Sequence, residues 1–195
     1  MPRPYVPNDS YARKAAAQGY LARSAFKLES IVEKFGVVRP GDRVLDIGAA
    51  PGSWLQVTSK IIGSRGLAVG VDLNPVTFSA ENVRTFVCDI LTAEFLDLIK
   101  PFAPFDAVLS DAAPNTSGIR DRDAELSLAL AERVAEAAEL HLRLGGSMVI
   151  KIFESGDTSL FVKRVRKKFE KVQTYKPPAS RERSRETYIV ALRKR

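Results

Sequence analysis

The chain of 195 residues, 45% hydrophobic, can bury one sizeable core and sits near the usual size of a single domain. It contains no run of about 18 apolar residues to span a bilayer and no apolar secretory core at its N-terminus, so a soluble, cytoplasmic, monomeric protein with no membrane partner is expected. The net charge of +7 is unevenly spread: residues 1–43 hold 8 basic and 4 acidic side chains, residues 44–162 hold 9 and 16, and residues 163–195 hold 13 and 3.

In chain order, residues 1–23 are basic and alanine-rich like an organellar transit peptide, but Pro2, Pro4, Pro7 and Asp9 argue against an amphipathic helix there. From about Ala22 to Lys34 the spacing predicts a helix with Phe26, Leu28, Ile31, Val32 and Phe35 on its apolar side. Short buried strands are predicted at 43–48, 67–73, 85–90, 105–110 and 147–153. Cys88 falls in the third of these, where it reads as a small apolar strand residue; a lone cysteine excludes an internal disulfide and a multi-cysteine metal site. Pro75 to Asn82 is short for a crossover helix. Glu125 to Leu144 is the clearest helix, with Leu126, Leu130, Val134, Ala137 and Ala138 as its stripe and Gly145-Gly146 as its stop. His141 near its end reads as a favourable C-terminal charge or a solvated side chain. Strands at 172–175 and 187–192, joined through Pro177-Pro178 without a helix, predict a hairpin at the sheet edge. Strand and helix alternate, so the expected fold is α/β, a doubly wound parallel sheet ending in an antiparallel hairpin, in one domain spanning 1–195: a basic segment and helix to residue 43, then the core from 44.

The segment Asp46-Ile47-Gly48-Ala49-Ala50-Pro51-Gly52-Ser53-Trp54 lies where a strand turns into a helix, and its small residues let a ligand approach the backbone. It is not the dinucleotide fingerprint, because Ala50 replaces the second glycine and Pro51 rigidifies the turn. Asp72, ending the second strand, can accept hydrogen bonds from both hydroxyls of a ribose, and Asp89, ending the third, can meet an exocyclic adenine amine. Either carboxylate alone is as readily a helix N-cap. Together with the loop they describe an adenosine-binding crevice at the carboxyl edge of the sheet. Lys151 follows Met148-Val149-Ile150 directly, an unusual place for a lysine, although its stem can snorkel out from a strand end.

Four segments, Asp46 to Trp54, Ser110-Asp111-Ala112-Ala113-Pro114-Asn115, Val149-Ile150-Lys151-Ile152-Phe153 and Ser180 to Tyr188, closely resemble the FtsJ-like ribosomal RNA methyltransferases, which methylate ribose 2′-hydroxyls. Ser24-Ala25-Phe26-Lys27-Leu28 is similar to that family's N-terminal motif, and the resemblance covers nearly the whole chain. It implies a Rossmann-like, class I methyltransferase fold with a seven-strand sheet, and S-adenosylmethionine as cofactor, held at Gly48, Gly52, Trp54, Asp72, Asp89 and Asp111. It also implies a catalytic tetrad of Lys27, Asp111, Lys151 and Glu186. The departure is Ser53, where many members have glycine.

A ribose hydroxyl must lose its proton to become a nucleophile, and a buried Lys151 is suited to remove it. Burial and a neighbouring Lys27 favour the neutral amine, while Asp111 opposes this and orients it. Glu186 is expected to hydrogen-bond the target ribose or steady Lys27 rather than act as a base. Tyr188 is as readily simple strand packing. Arg181, Arg183 and Arg185 form a basic loop suited to phosphates, and basic termini around an acidic centre point to RNA. The expected substrate is a uridine of large-subunit, 23S-type ribosomal RNA presented within the subunit. The rivals are a transfer RNA 2′-O-ribose methyltransferase and a catalytically silent RNA-binding ribosome assembly factor. A small-molecule or protein methyltransferase has no need for so basic a C-terminus, and Asp111-Ala112-Ala113-Pro114 is not the Asp-Pro-Pro-Tyr type of motif of amine-methylating enzymes. No metal cluster is visible in the sequence.

Overall fold

The computed structural model describes residues 10–181 and 184–195. A short helix α1 (Ser10–Ala17) precedes α2 (Ala25–Phe35), which stops at Gly36 in the left-handed region, φ 63°, its N–H donated to the Val32 carbonyl at 2.8 Å. Then follow β1 (Arg43–Ile47), α3 (Ser53–Ile62), β2 (Leu67–Asp72), β3 (Val83–Val87), α4 (Glu94–Ile99), β4 (Phe105–Ser110), α5 (Arg120–His141), β5 (Leu142–Phe153), α6 (Thr158–Lys168), β6 (Phe169–Tyr175) and β7 (Glu186–Lys194).

The seven strands form one sheet in the order β3-β2-β1-β4-β5-β7-β6. The first five run parallel to their neighbours, and β7 lies antiparallel between β5 and β6. The C-terminal hairpin therefore closes the edge as expected, with its second strand inserted inside its first. Alternation along the strands splits the core in two. Val44, Ala107, Leu109, Val149, Tyr188 and Val190 face α2 and α3, whereas Leu45, Ile47, Val108, Ile150 and Ile189 face α4, α5 and α6. The order of strands reverses between β1 and β4, which leaves a crevice at the carboxyl edge there.

Several expected elements shift, each for a packing reason. Helix α2 starts three residues later than predicted, because 21–24 form turns ahead of it. Strand β3 covers Val83–Val87 rather than 85–90, so Asp89 lies two residues past its end, on a turn. Between β2 and β3 no helix forms; the segment runs over α3, where Thr77 bonds the Pro51 carbonyl through both its N–H (3.0 Å) and its hydroxyl (2.9 Å). Strand β5 begins at Leu142, directly after α5, so Gly145-Gly146 lies inside a strand rather than stopping the helix. In α5 the buried stripe is Ala124, Ser127, Ala131, Val134, Ala137 and Ala138, so of the expected residues Val134, Ala137 and Ala138 are buried. These small side chains bring the helix close to the sheet, and Leu126 and Leu130 turn instead toward the crevice. Helix α6 escapes the hydropathy pattern because only Phe161, Val162 and Val165 are buried along a strongly basic segment.

His141 is not a favourable helix-end charge. Burial first, then Lys100 and Lys194, lower its pKa from the ordinary value near 6.5, so the folded protein favours the neutral ring. The neutral ring is compatible with the fold above about pH 6.5, and stability is lost as pH falls and the unfolded chain takes up a proton the folded one resists. We expect thermal denaturation to show His141→Gln gaining stability relative to the native chain between about pH 7 and pH 5. A constant difference over that range would contradict the assignment.

Candidate active site

The Asp46 to Trp54 loop is set by close backbone contacts. Gly48 has φ 78°, and a Cβ there would stand 2.6 Å from the Ala112 backbone, so only glycine lets the loops after β1 and β4 abut. Gly52 ends the loop at the start of α3 with φ 123°, and a Cβ there would meet the Phe78 side chain at 2.5 Å. Asp72 ties the loop to β2: its carboxylate accepts the Ala50 N–H at 3.0 Å and the Asn74 N–H at 2.8 Å. Asp89 accepts the Leu91 N–H at 2.9 Å.

A crevice of about 430 Å³ opens between these loops. Gly48, Ala50, Asp72, Leu73, Cys88, Asp89, Ile90, Asp111 to Asn115, Leu126 and Leu130 line it. Its far wall, the loop after β4, is anchored by buried Asp123, which accepts the Ser117 N–H and hydroxyl, each at 2.8 Å, and the Gly118 N–H at 3.2 Å. These bonds, the Ser117 N–H foremost, hold the Asp123 carboxyl below the usual range. Size, apolar walls and convergent carboxylates suit a nucleoside ligand.

Lys27, Asp111, Lys151 and Glu186 come together from four elements on the face covered by α2 and α3. Asp111 lies one residue past β4 and Lys151 near the end of β5, with the Lys151 Nζ 3.0 Å from Asp111 Oδ1. The same amine also donates to the Asp111 backbone carbonyl. Lys27 of α2 pairs with Glu186 at the start of β7, Nζ to Oε1 2.6 Å. Both lysines are buried, 7% and 9% exposed, so neither charge is left to water alone. Tyr188, opposite Lys151 across the β5–β7 ladder, donates its hydroxyl to Asp111 Oδ1 at 2.6 Å, and the Lys27 Nζ stands 5.7 Å from its ring. Burial pushes the Asp111 carboxyl up, but Lys151, Lys27 and the tyrosine bond outweigh it and hold the group below the usual carboxylate range. The Tyr188 hydroxyl is driven well above its ordinary value by burial, then by Asp111 and Glu186.

Trp54 and Gly52 stand apart from the crevice lining. The Trp54 indole is buried, donates to the Ser24 carbonyl at 2.9 Å and stacks 5.9 Å from the Tyr188 ring, so it braces the start of α2 behind Lys27. Tyr188 is more than strand packing; only the antiparallel register reveals its hydroxyl as an Asp111 partner. Arg181 is exposed, Arg185 is half-buried with an Nη2 contact to the Arg120 carbonyl at 3.4 Å, and Arg183 lies outside the described residues. The basic ends do meet: Ala15 of α1, Phe26 of α2 and Ala179 of the β6–β7 connection pack together, and Arg23 donates to the Ala179 carbonyl at 2.6 Å.

Residues 20–194 match the model of the FtsJ-like methyltransferases. The chain belongs to that family. It is 42% identical over 193 residues to the ribosomal RNA large subunit methyltransferase E of Syntrophobacter fumaroxidans, covering 98% of each chain. Among solved structures, a Plasmodium falciparum protein described as a ribosomal RNA methyltransferase superposes with TM-score 0.78 at 24% identity, covering 90% of this chain and 98% of the other. Aeropyrum pernix fibrillarin, solved with S-adenosylmethionine bound, superposes with TM-score 0.63 at 22% identity, covering 87% of this chain and 76% of its own. These two likenesses establish the Rossmann-like methyltransferase fold expected from the sequence.

Tyr188→Phe removes one donor from a buried carboxylate and should destabilise this FtsJ-like fold by about 1.5–3 kcal/mol, the usual worth of a hydrogen bond to a charged group. Chemical denaturation checks it; a loss under about 0.5 kcal/mol would show that the hydroxyl does not support Asp111.

Proposed function

We propose that the protein transfers a methyl group from S-adenosylmethionine to a ribose 2′-hydroxyl of RNA, a uridine of large-subunit ribosomal RNA, with Lys151 as general base. The observation that carries this reading is the Lys151–Asp111 pair: Asp111 lines the crevice and holds, at 3.0 Å, the buried amine of Lys151. The match to a relative named as a ribosomal RNA large subunit methyltransferase over the full chain supports ribosomal over transfer RNA. The same match, covering 98% of each chain, supports a single methyltransferase unit over 1–195, and a cytoplasmic, monomeric state belongs to the same proposal.

In the crevice, Asp72 and Asp89 are placed for the ribose hydroxyls and the adenine amine, with Gly48 giving access to the backbone and Leu126 and Leu130 apolar contact. S-adenosylmethionine, when bound, supplies a methyl group on a sulfonium, which needs little activation. Lys151, once its ammonium has released a proton to solvent, accepts the proton of the ribose hydroxyl as the oxygen attacks, and later returns it to solvent. Asp111 aims that amine through its carboxylate and its backbone carbonyl, and Tyr188 fixes Asp111 in turn. Glu186 takes up the charge of Lys27, leaving both beside the ribose position as binding and positioning groups. Arg181, Arg183 and Arg185 supply phosphate contacts.

The decisive comparison is Lys151→Ala against Lys151→Arg in single-turnover assays with RNA and cofactor saturating. Both should lose about 10² to 10⁴-fold in rate with cofactor affinity kept, because a guanidinium stays protonated. An arginine variant with near-native rates, or nucleoside mass spectrometry placing the methyl on the base, would overturn the reading.

Replacing Arg181, Arg183 and Arg185 together by alanine should weaken RNA binding and flatten its logarithmic salt dependence by roughly 2, because each neutralised phosphate of a single strand accounts for about 0.7 of the slope. Binding titrations across a salt series read this out, and an unchanged slope would place the RNA elsewhere.

A further inference from the structure

Asp46 in β1 is a buried acid that takes no part in the reaction described above. Its residue is 0% exposed, and neither carboxyl oxygen has a hydrogen-bond partner among the described residues. In register it sits beside Leu109 of β4 and Gly70 of β2, two residues short of Asp111 and Asp72. A third carboxyl is thus held between and beneath two that line the crevice. The other charged groups of the surrounding elements are already engaged: Lys151 of β5 with Asp111, Lys27 of α2 with Glu186 of β7, and Asp89 beyond β3 with the Leu91 N–H. From α3 the neighbouring buried polar groups, Ser53 and Thr58, are neutral hydroxyls. A charged carboxylate here would be desolvated, without a donor and beside two other carboxyls, so the geometry favours the protonated form; burial first, then Asp111 and Asp72, push the Asp46 carboxyl well above the usual range.

We propose that Asp46 is a charge-matching residue for the cofactor: the positive charge of S-adenosylmethionine entering the crevice drives the Asp46 proton out to solvent, whereas S-adenosylhomocysteine leaves it in place. This rests on the reading of the crevice as the S-adenosylmethionine site. The two ligands differ by a methyl group and by one unit of charge, because a sulfonium becomes a neutral thioether. A cation within reach of a desolvated acid favours the carboxylate, and the low dielectric around Asp46 magnifies the effect. Cofactor binding and proton loss are then linked, so affinity for the sulfonium ligand rises with pH by up to about tenfold per unit while Asp46 of the unliganded chain remains protonated. Affinity for the thioether stays flat. The site thereby distinguishes substrate from product by charge, at a residue that needs no direct contact with either.

Titration calorimetry in buffers of different ionisation enthalpy counts the protons released, and working at about pH 6 to 7 stays below the titration of α-amino groups near 7.7–8.0. With the native chain, S-adenosylmethionine should release more than about half a proton and S-adenosylhomocysteine almost none. Asp46→Asn, an uncharged isostere of the protonated acid, should bind S-adenosylmethionine more weakly, release no proton and lose the pH dependence, with S-adenosylhomocysteine affinity unchanged. Equal proton counts for the two ligands, or undiminished release in the variant, would overturn the inference. Should the variant fail to fold, the two-ligand comparison on the native chain decides alone. Absence of S-adenosylmethionine binding would overturn the crevice reading itself, whereas binding without proton release overturns only the role of Asp46.

Discussion

The pairing of Lys151 with Asp111 is the interaction on which the arrangement of the site depends. Asp111 belongs to two places at once, the wall of the crevice and the buried cluster of lysines behind it. A carboxylate so placed costs several kcal/mol in desolvation unless partners surround it. Lys151 and Tyr188 supply those partners from adjacent strands, and they do so only because β7 runs antiparallel beside β5, which sets Tyr188 opposite Lys151. The insertion of β7 between β5 and β6 therefore sets this cluster of buried charges as well as closing the sheet. Glu186, two residues earlier on the same face of β7, reaches Lys27 by the same geometry.

Charge is separated across the molecule in a way that follows from this pair. Acidic groups concentrate at the carboxyl ends of β1, β2 and β4, where Asp46, Asp72 and Asp111 face one region. Basic groups lie on the other side of Asp111, beginning with the two buried lysines and continuing through Arg23 to the exposed Arg181. On the proposed reading, a cationic cofactor and a polyanionic substrate would approach one carboxylate from opposite sides. Long-range attraction favours each on its own side and disfavours exchange between them.

The crevice itself is shaped by small residues. Gly48 allows two loops to touch, and the alanine and serine stripe of α5 lets that helix lie close enough for Leu126 and Leu130 to close one wall. Asp123 holds the loop after β4 against the start of α5 with three hydrogen bonds. The same small residues that weaken a hydropathy signal are the ones that make the contact possible.

By itself the sequence determined the alternation of strands and helices, the small-residue loop, the acid that ends β2 and the one just past β3, and the unusual lysine after an apolar run, because each is a local property of composition and spacing. The motifs shared with FtsJ-like methyltransferases named the tetrad before any distance was known. What only the tertiary structure decided were properties that depend on register and on approach between distant segments. Tyr188 reads as ordinary strand packing until the β5–β7 ladder sets it against Asp111, and the bond from the Trp54 indole to the Ser24 carbonyl is visible only once α3 is set against α2. Helix α6 hides behind its charges because three buried side chains suffice to dock it on the sheet. Asp46 is one acid in a motif until burial removes every partner from it, since a carboxyl's proton is set by the water and charges around it and not by its neighbours in the chain.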